Sequence, residues 1–133
     1  MFRKRVVRFL EKNGVNLGER GIFEELLRGS NLTEAQAETL LVELASAMSG
    51  LKLSVEEKAG IRGVSKGAYS RTKRQALENV KRSIYTLLLL RFLGVLGDEA
   101  LSLLMEAAGK LVNGDSEEAL EALRQMTLHD VTE

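Results

Sequence analysis

Apolar residues in this chain recur at spacings of three and four, and no alternating run is followed by a turn. The pattern predicts helices separated by glycine-centred breaks. Phe2 to Lys12 reads as a short helix with Phe2, Val6, Phe9 and Leu10 on one face, and Gly14 to Gly18 as a break. Glu19 to Arg28 follows, with Ile22, Phe23, Leu26 and Leu27 inward and Gly29 at its end. Thr33 and Gln36 have the spacing of a capping box. They open a helix to about Met48 whose apolar side reads as Ala37, Leu40, Leu41, Leu44 and Met48, stopped by Ser49-Gly50. Ser54 and Glu57 form a second box at the head of a short helix, and Ser65 caps a long one that ends at Gly94 and Gly97. Asp98 then caps a helix to about Val112, with Ala100, Leu103, Leu104, Ala107, Ala108 and Leu111 apolar. Asn113-Gly114 stops it. Asp115 or Ser116 caps a last helix through Met126, carrying Ala119, Leu120, Leu123 and Met126 on one side. These last two make an antiparallel hairpin, and the polar tail from Thr127 is expected to fray. The expected fold is all-α: one domain over residues 1–133, with a trihelical unit at 33–82 and a helical core or dimerisation region at 83–128.

The long helix changes character along its length. With Tyr69 at the centre of one face, Ala76, Val80 and Leu87 return to that face, and Thr72 and Ile84 border it. Gly67, Ser70, Arg71, Arg74 and Glu78 fall opposite, flanked by Lys81 and Arg82. Lys73 lies near the inward side and is expected to run its stem along the packed surface. After Ser83, Leu87 and Leu90 stay inward, but Leu88, Leu89 and Phe92 point elsewhere. A helix apolar on all sides needs covering on all sides. Two covers are open: the hairpin from Asp98 to Met126, or a second copy meeting Leu88, Leu89 and Phe92 in a homodimer.

Charge sharpens this division. The formal net charge is zero, yet residues 52–82 hold nine basic and three acidic residues, a net of +6. Residues 98–133 hold nine acidic and two basic ones, a net of −7. Such asymmetry points to a nucleic-acid-binding region. Arg3, Lys4, Arg5 and Arg8 form a second basic cluster, read either as a solvated terminus or as a phosphate contact.

Only Gly63 and Val64 separate the short helix from the Ser65 cap, so the two helices cross steeply. Ala59 is small where they cross, Gly63-Val64-Ser65 is the turn, and Gly67-Ala68-Tyr69-Ser70-Arg71 opens the long helix, with Ala76 and Val80 inward. On these residues the stretch from Ser54 to Arg82 resembles the helix-turn-helix of sigma-factor-type and related small prokaryotic transcriptional regulators. Lys58 and Arg62 stand where that family usually places apolar residues, and Tyr69 where a smaller β-branched residue is usual. The resemblance implies that the helix from Thr33 supports the pair and that the long helix enters the major groove of double-stranded DNA. The expected DNA-binding residues are Ser65, Lys66, Gly67, Ser70, Arg71, Arg74 and Lys81. Gly67 allows close backbone approach, the helix N-terminus attracts phosphate, and Arg71 and Arg74 reach base edges or phosphates.

Other chemistries find little support. The chain has no cysteine, hence no disulfide, Cys-ligated zinc or thiol catalysis, and no proline, which suits an all-helical chain. His129 is the only histidine, and Glu24, Glu25, Glu117 and Glu118 sit on polar helical faces. No glycine-rich phosphate cradle and no nucleophile–base pair can be proposed, so neither enzymatic activity nor a cofactor or metal is expected. No secretory signal is expected, and Ile84 to Leu90 is too short to span a bilayer, so the expected location is cytoplasmic. Two functions stay open. One is a DNA-binding transcriptional regulator acting as a homodimer. The other is a helical adaptor whose basic face meets an acidic protein partner.

Overall fold

A computed structural model of the chain describes residues 2–18 and 20–126, and every regular element among them is an α-helix. In order these are α1 (Lys4–Lys12), α2 (Arg20–Gly29), α3 (Glu34–Ser49), α4 (Val55–Arg62), α5 (Lys66–Phe92), α6 (Asp98–Val112) and α7 (Ser116–Arg124). Thr127 onward, His129 included, lies outside the described residues. The chain forms two compact units, residues 1–81 and 82–133, with their boundary inside α5.

Helix starts follow the local chemistry of the sequence. Thr33 Oγ1 accepts from the Gln36 N–H at 3.1 Å, and Gln36 Oε1 accepts from the Thr33 N–H at 3.2 Å. Ser54 and Glu57 make the same reciprocal pair, both at 3.1 Å. Each box satisfies two donors that a helix start otherwise leaves open. Asp98 departs from expectation. It is the first residue of α6, behind a Gly97 cap that makes no side-chain bond. Its carboxylate instead takes Arg91 at 2.6 Å, and Arg91 also donates to the Leu96 carbonyl at 3.2 Å, pinning the corner after α5. Asp115 caps α7 without a side-chain bond.

In the first unit, α1 packs on α3 and α4, and α3 packs on α4. Val6, Leu10, Val15, Val42, Ala45, Ala59 and Tyr69 form the buried cluster. The start of the chain is therefore part of the core and not a frayed terminus: Val6 and Leu10 are fully buried, and Phe2 meets Phe23 of α2 edge-on at 5.6 Å.

Two faces differ from the pattern-based expectation. On α3 Ala37 is buried as expected, and Gln36, Glu38, Thr39, Val42, Ala45 and Ser46 are buried with it, while Leu44 and Met48 are 49% and 55% exposed. Apolar residues lie on every side of α3, so hydrophobic count alone cannot orient it. Small Ala45 and branched Val42 allow close approach of α1 and α4, and carboxylates on the adjoining sides meet cations from α4 and α5. On α5, Tyr69 and Ala76 are buried as expected, but Val80 and Leu87 are 37% and 41% exposed. Beyond Ala76 the contact with α3 passes to a polar residue, Asn79, whose amide donates to Gln36 Oε1 at 2.9 Å and to the Asn31 carbonyl at 3.2 Å.

In the second unit, α6 and α7 pack through Ala107, Ala119 and Ala122, with Leu111 and Leu123 against them. Small residues bring the two helices close, and Lys110 joins them by donating to Glu118 at 2.8 Å. Leu103 and Leu104 are half-buried and Ala108 is exposed. This hairpin does not cover the apolar end of α5. Leu88, Leu89 and Phe92 are 62%, 55% and 86% exposed.

Candidate nucleic-acid interface

The turn between α4 and α5 is built from backbone hydrogen bonds. Gly63 takes φ +70° and ψ +34°, left-handed values that glycine adopts without Cβ strain. The Val64 N–H reaches the Ala59 carbonyl at 3.0 Å, and the Gly63 N–H reaches Gly60 at 3.1 Å. This pair is the Schellman closure of a helix end. Ala59, buried beneath it, leaves room for the crossing. Ser65 then starts α5, its hydroxyl accepting from the Ala68 N–H at 3.1 Å.

Basic residues on the inner sides of α4 and α5 all find carboxylates on α3. Arg62 Nε donates to Glu38 at 2.6 Å, with side chains only 7% and 8% exposed. Glu43 accepts from the Tyr69 hydroxyl at 2.5 Å, from Lys73 at 3.1 Å and from Lys58 at 3.2 Å. Burial pushes the Glu43 carboxyl up, but the bonds from Tyr69, Lys73 and Lys58 outweigh it and hold the group below the ordinary carboxylate value. Burial, reinforced by the neighbouring carboxylate, drives the Tyr69 phenol far above its ordinary range. Lys58, Arg62 and Tyr69 can face the packed interior because α3 supplies Glu38 and Glu43. Sequence reasoning missed these two partners. The available signal was a pair of cations one turn apart at Lys58 and Arg62, together with carboxylates five residues apart on the preceding helix.

The outer side of α5 is different. Ser65, Lys66, Gly67, Ser70, Arg71, Arg74 and Lys81 are all exposed. Lys66 approaches Glu56 at 3.7 Å in a solvated pair, which contributes little. Among the described residues, Arg71, Arg74, Lys81 and Arg82 make no ion pair. The space where a Gly67 Cβ would sit is open to 4 Å. Ser70, Arg74 and Lys81 share a surface hollow of about 370 Å³ with Val55, Leu77 and one carboxylate, Glu78. The sequence-derived residues of α5 therefore form one exposed basic face, and their inward counterparts are neutralised.

The described residues hold no group of three or more His, Cys, Asp or Glu side chains placed to bind a metal ion. None of their helices is long and apolar enough to cross a membrane. Comparison with family models, with curated proteins and with solved structures gave no match.

Proposed function

We propose that this chain is a DNA-binding transcriptional regulator that acts as a homodimer. In this reading α4, the Gly63 turn and α5 are a helix-turn-helix supported by α3, and α5 lies in the major groove from about Lys66. The observation that carries it is the sorting of cations. Those facing α3 are matched by Glu38 and Glu43, while Arg71, Arg74, Lys81 and Arg82 are left exposed without ion pairs among the described residues. A solvated helix face is commonly laced with ion pairs of both signs. A face of unmatched arginines beside an open Gly67 suits phosphate and base-edge contact.

The dimer reading rests on Tyr85, Leu88, Leu89 and Phe92. They are exposed and follow one another at the spacing of a helix–helix seam. Large exposed apolar patches mark association sites. A seam of this spacing packs on its own two-fold mate, the commonest closed arrangement, and two copies would present two recognition helices to two half-sites.

Arg71→Ala and Arg74→Ala test the DNA reading. Each should leave helicity unchanged and weaken duplex binding by about 1–3 kcal/mol if its contact is bidentate to guanine. Wild-type affinity in both variants contradicts the assignment. A second reading, an adaptor for a protein partner, is favoured by exposed Leu44, Met48 and Leu51. It predicts no duplex binding at moderate salt. The regulator instead shows affinity falling linearly in log–log terms with salt.

A further inference from the structure

Two arginines from the start of the chain are tertiary neighbours of the turn. The Arg3 guanidinium donates to the carbonyl of Arg62, the last residue of α4, a carbonyl that the Schellman bonds to Ala59 and Gly60 do not reach. The Arg5 guanidinium lies over the same turn. A Cβ placed on Gly63 would collide with both Arg3 and Arg5, so the two guanidiniums sit side by side. Both residues are exposed, and Arg5 makes no ion pair among the described residues. Glu57, which shares a surface hollow with Arg5, is engaged by the Ser54 N–H.

Adjacent like charges repel, and an anion between them relieves the repulsion. The positive character continues along the chain. Two residues past Gly63 comes Ser65, then exposed Lys66 and the first turn of α5. There the Ala68 N–H is taken by Ser65, and the Lys66 and Gly67 N–H groups have no partner among the described residues. Planar guanidiniums match phosphate oxygens in a fork that ammonium groups cannot reproduce. Because α1 is anchored by buried Val6 and Leu10, the backbone that carries Arg5 is fixed against the core.

The geometry points to Arg5, with Arg3 fixed beside it, as a clamp on a DNA backbone phosphate at the edge of the groove that α5 enters. This rests on the DNA-binding reading and adds an element outside the helix pair. The clamp positions the protein on the duplex and carries no sequence information.

The test compares the full chain with Arg5→Ala and Arg5→Lys on a selected duplex and a panel of its single-base variants, measuring log affinity against log salt. Thermal melting followed by circular dichroism checks that both variants keep the fold. Arg5→Ala should make the slope shallower by about 0.9, the contribution of one phosphate contact, and leave the ranking of duplex sequences unchanged. Arg5→Lys should restore most of the slope. A wild-type slope in folded Arg5→Ala overturns the clamp and leaves the DNA reading standing. If the wild-type chain shows no salt-dependent duplex binding, the DNA reading falls and the clamp falls with it.

Discussion

Between Lys66 and Lys81, α5 buries Tyr69 and Ala76, links to α3 through Glu43 and Gln36, and turns arginines outward. Between Ile84 and Phe92 the same helix exposes Ile84, Tyr85, Leu87, Leu88, Leu89 and Phe92. In the first stretch, polar pairs choose which face packs, and residual charge marks the free face. In the second, the apolar side chains have no mate among the described residues. Fully covering a large apolar side chain contributes about 1.5–3 kcal/mol. Half of that for Tyr85, Leu88, Leu89 and Phe92 on two copies is comparable with an association cost of about 4–15 kcal/mol. Electrostatic pairing thus specifies the fold of one stretch, and association would complete the other.

The largest expected effect is at the buried ion pair. Glu38→Ala leaves Arg62 charged and unmatched, and should cost about 3–5 kcal/mol in urea unfolding. Glu38→Leu combined with Arg62→Met should recover most of that loss, because removing both charges also removes their desolvation cost. A single variant as stable as wild type would mean that α3 is not oriented by its carboxylates.

Gly63→Val comes next. It forces a branched side chain into left-handed backbone and against Arg3 and Arg5, at about 1–3 kcal/mol from the backbone alone. An unchanged melting temperature would place the turn elsewhere.

Glu43 makes a smaller, pH-dependent contribution. Its folded pKa lies below the ordinary 4.5, so its stabilisation is present above that value and is lost as pH falls through the lower folded value. Glu43→Gln should flatten the acid side of the stability–pH curve. Parallel acid limbs for the two proteins would mean that Glu43 does not contribute to acid stability.

Leu88→Asp should have the smallest effect on the fold, within about 0.5 kcal/mol, because the residue is exposed in the single chain. The same change should shift sedimentation equilibrium from dimer to folded monomer and weaken operator binding through lost linkage of half-sites. Wild-type chain at monomer mass at micromolar concentration would remove the dimer.

How much of this was legible in the sequence depended on the range of the interactions. The capping boxes at Thr33 and Ser54, the Ser65 cap and the Gly63 turn are local, and each is present. The packed face of α3 was legible only in part: Ala37 is buried and Leu41 packs on the core as expected, but Leu44 and Met48 are exposed, because the groups that orient the helix are side chains on α4 and α5. Glu38 reads as a surface residue until Arg62 is placed against it. The fate of the arginines near the N-terminus was likewise invisible, since it depends on Val6 and Leu10 burying α1 against α3 and α4. The lack of a mate for Leu88, Leu89 and Phe92 was legible as a surplus of apolar residues, but the choice between hairpin and second copy was not.

Selection from random duplexes by the full chain reads DNA binding, specificity and symmetry at once. A dimeric regulator should enrich an inverted repeat with half-site centres about 10–10.5 base pairs apart, or a multiple of that spacing. Retention should fall steeply as salt is raised from about 50 to 200 mM. A pool that stays unenriched, with no duplex retained even at the lower salt, would contradict the DNA-binding reading.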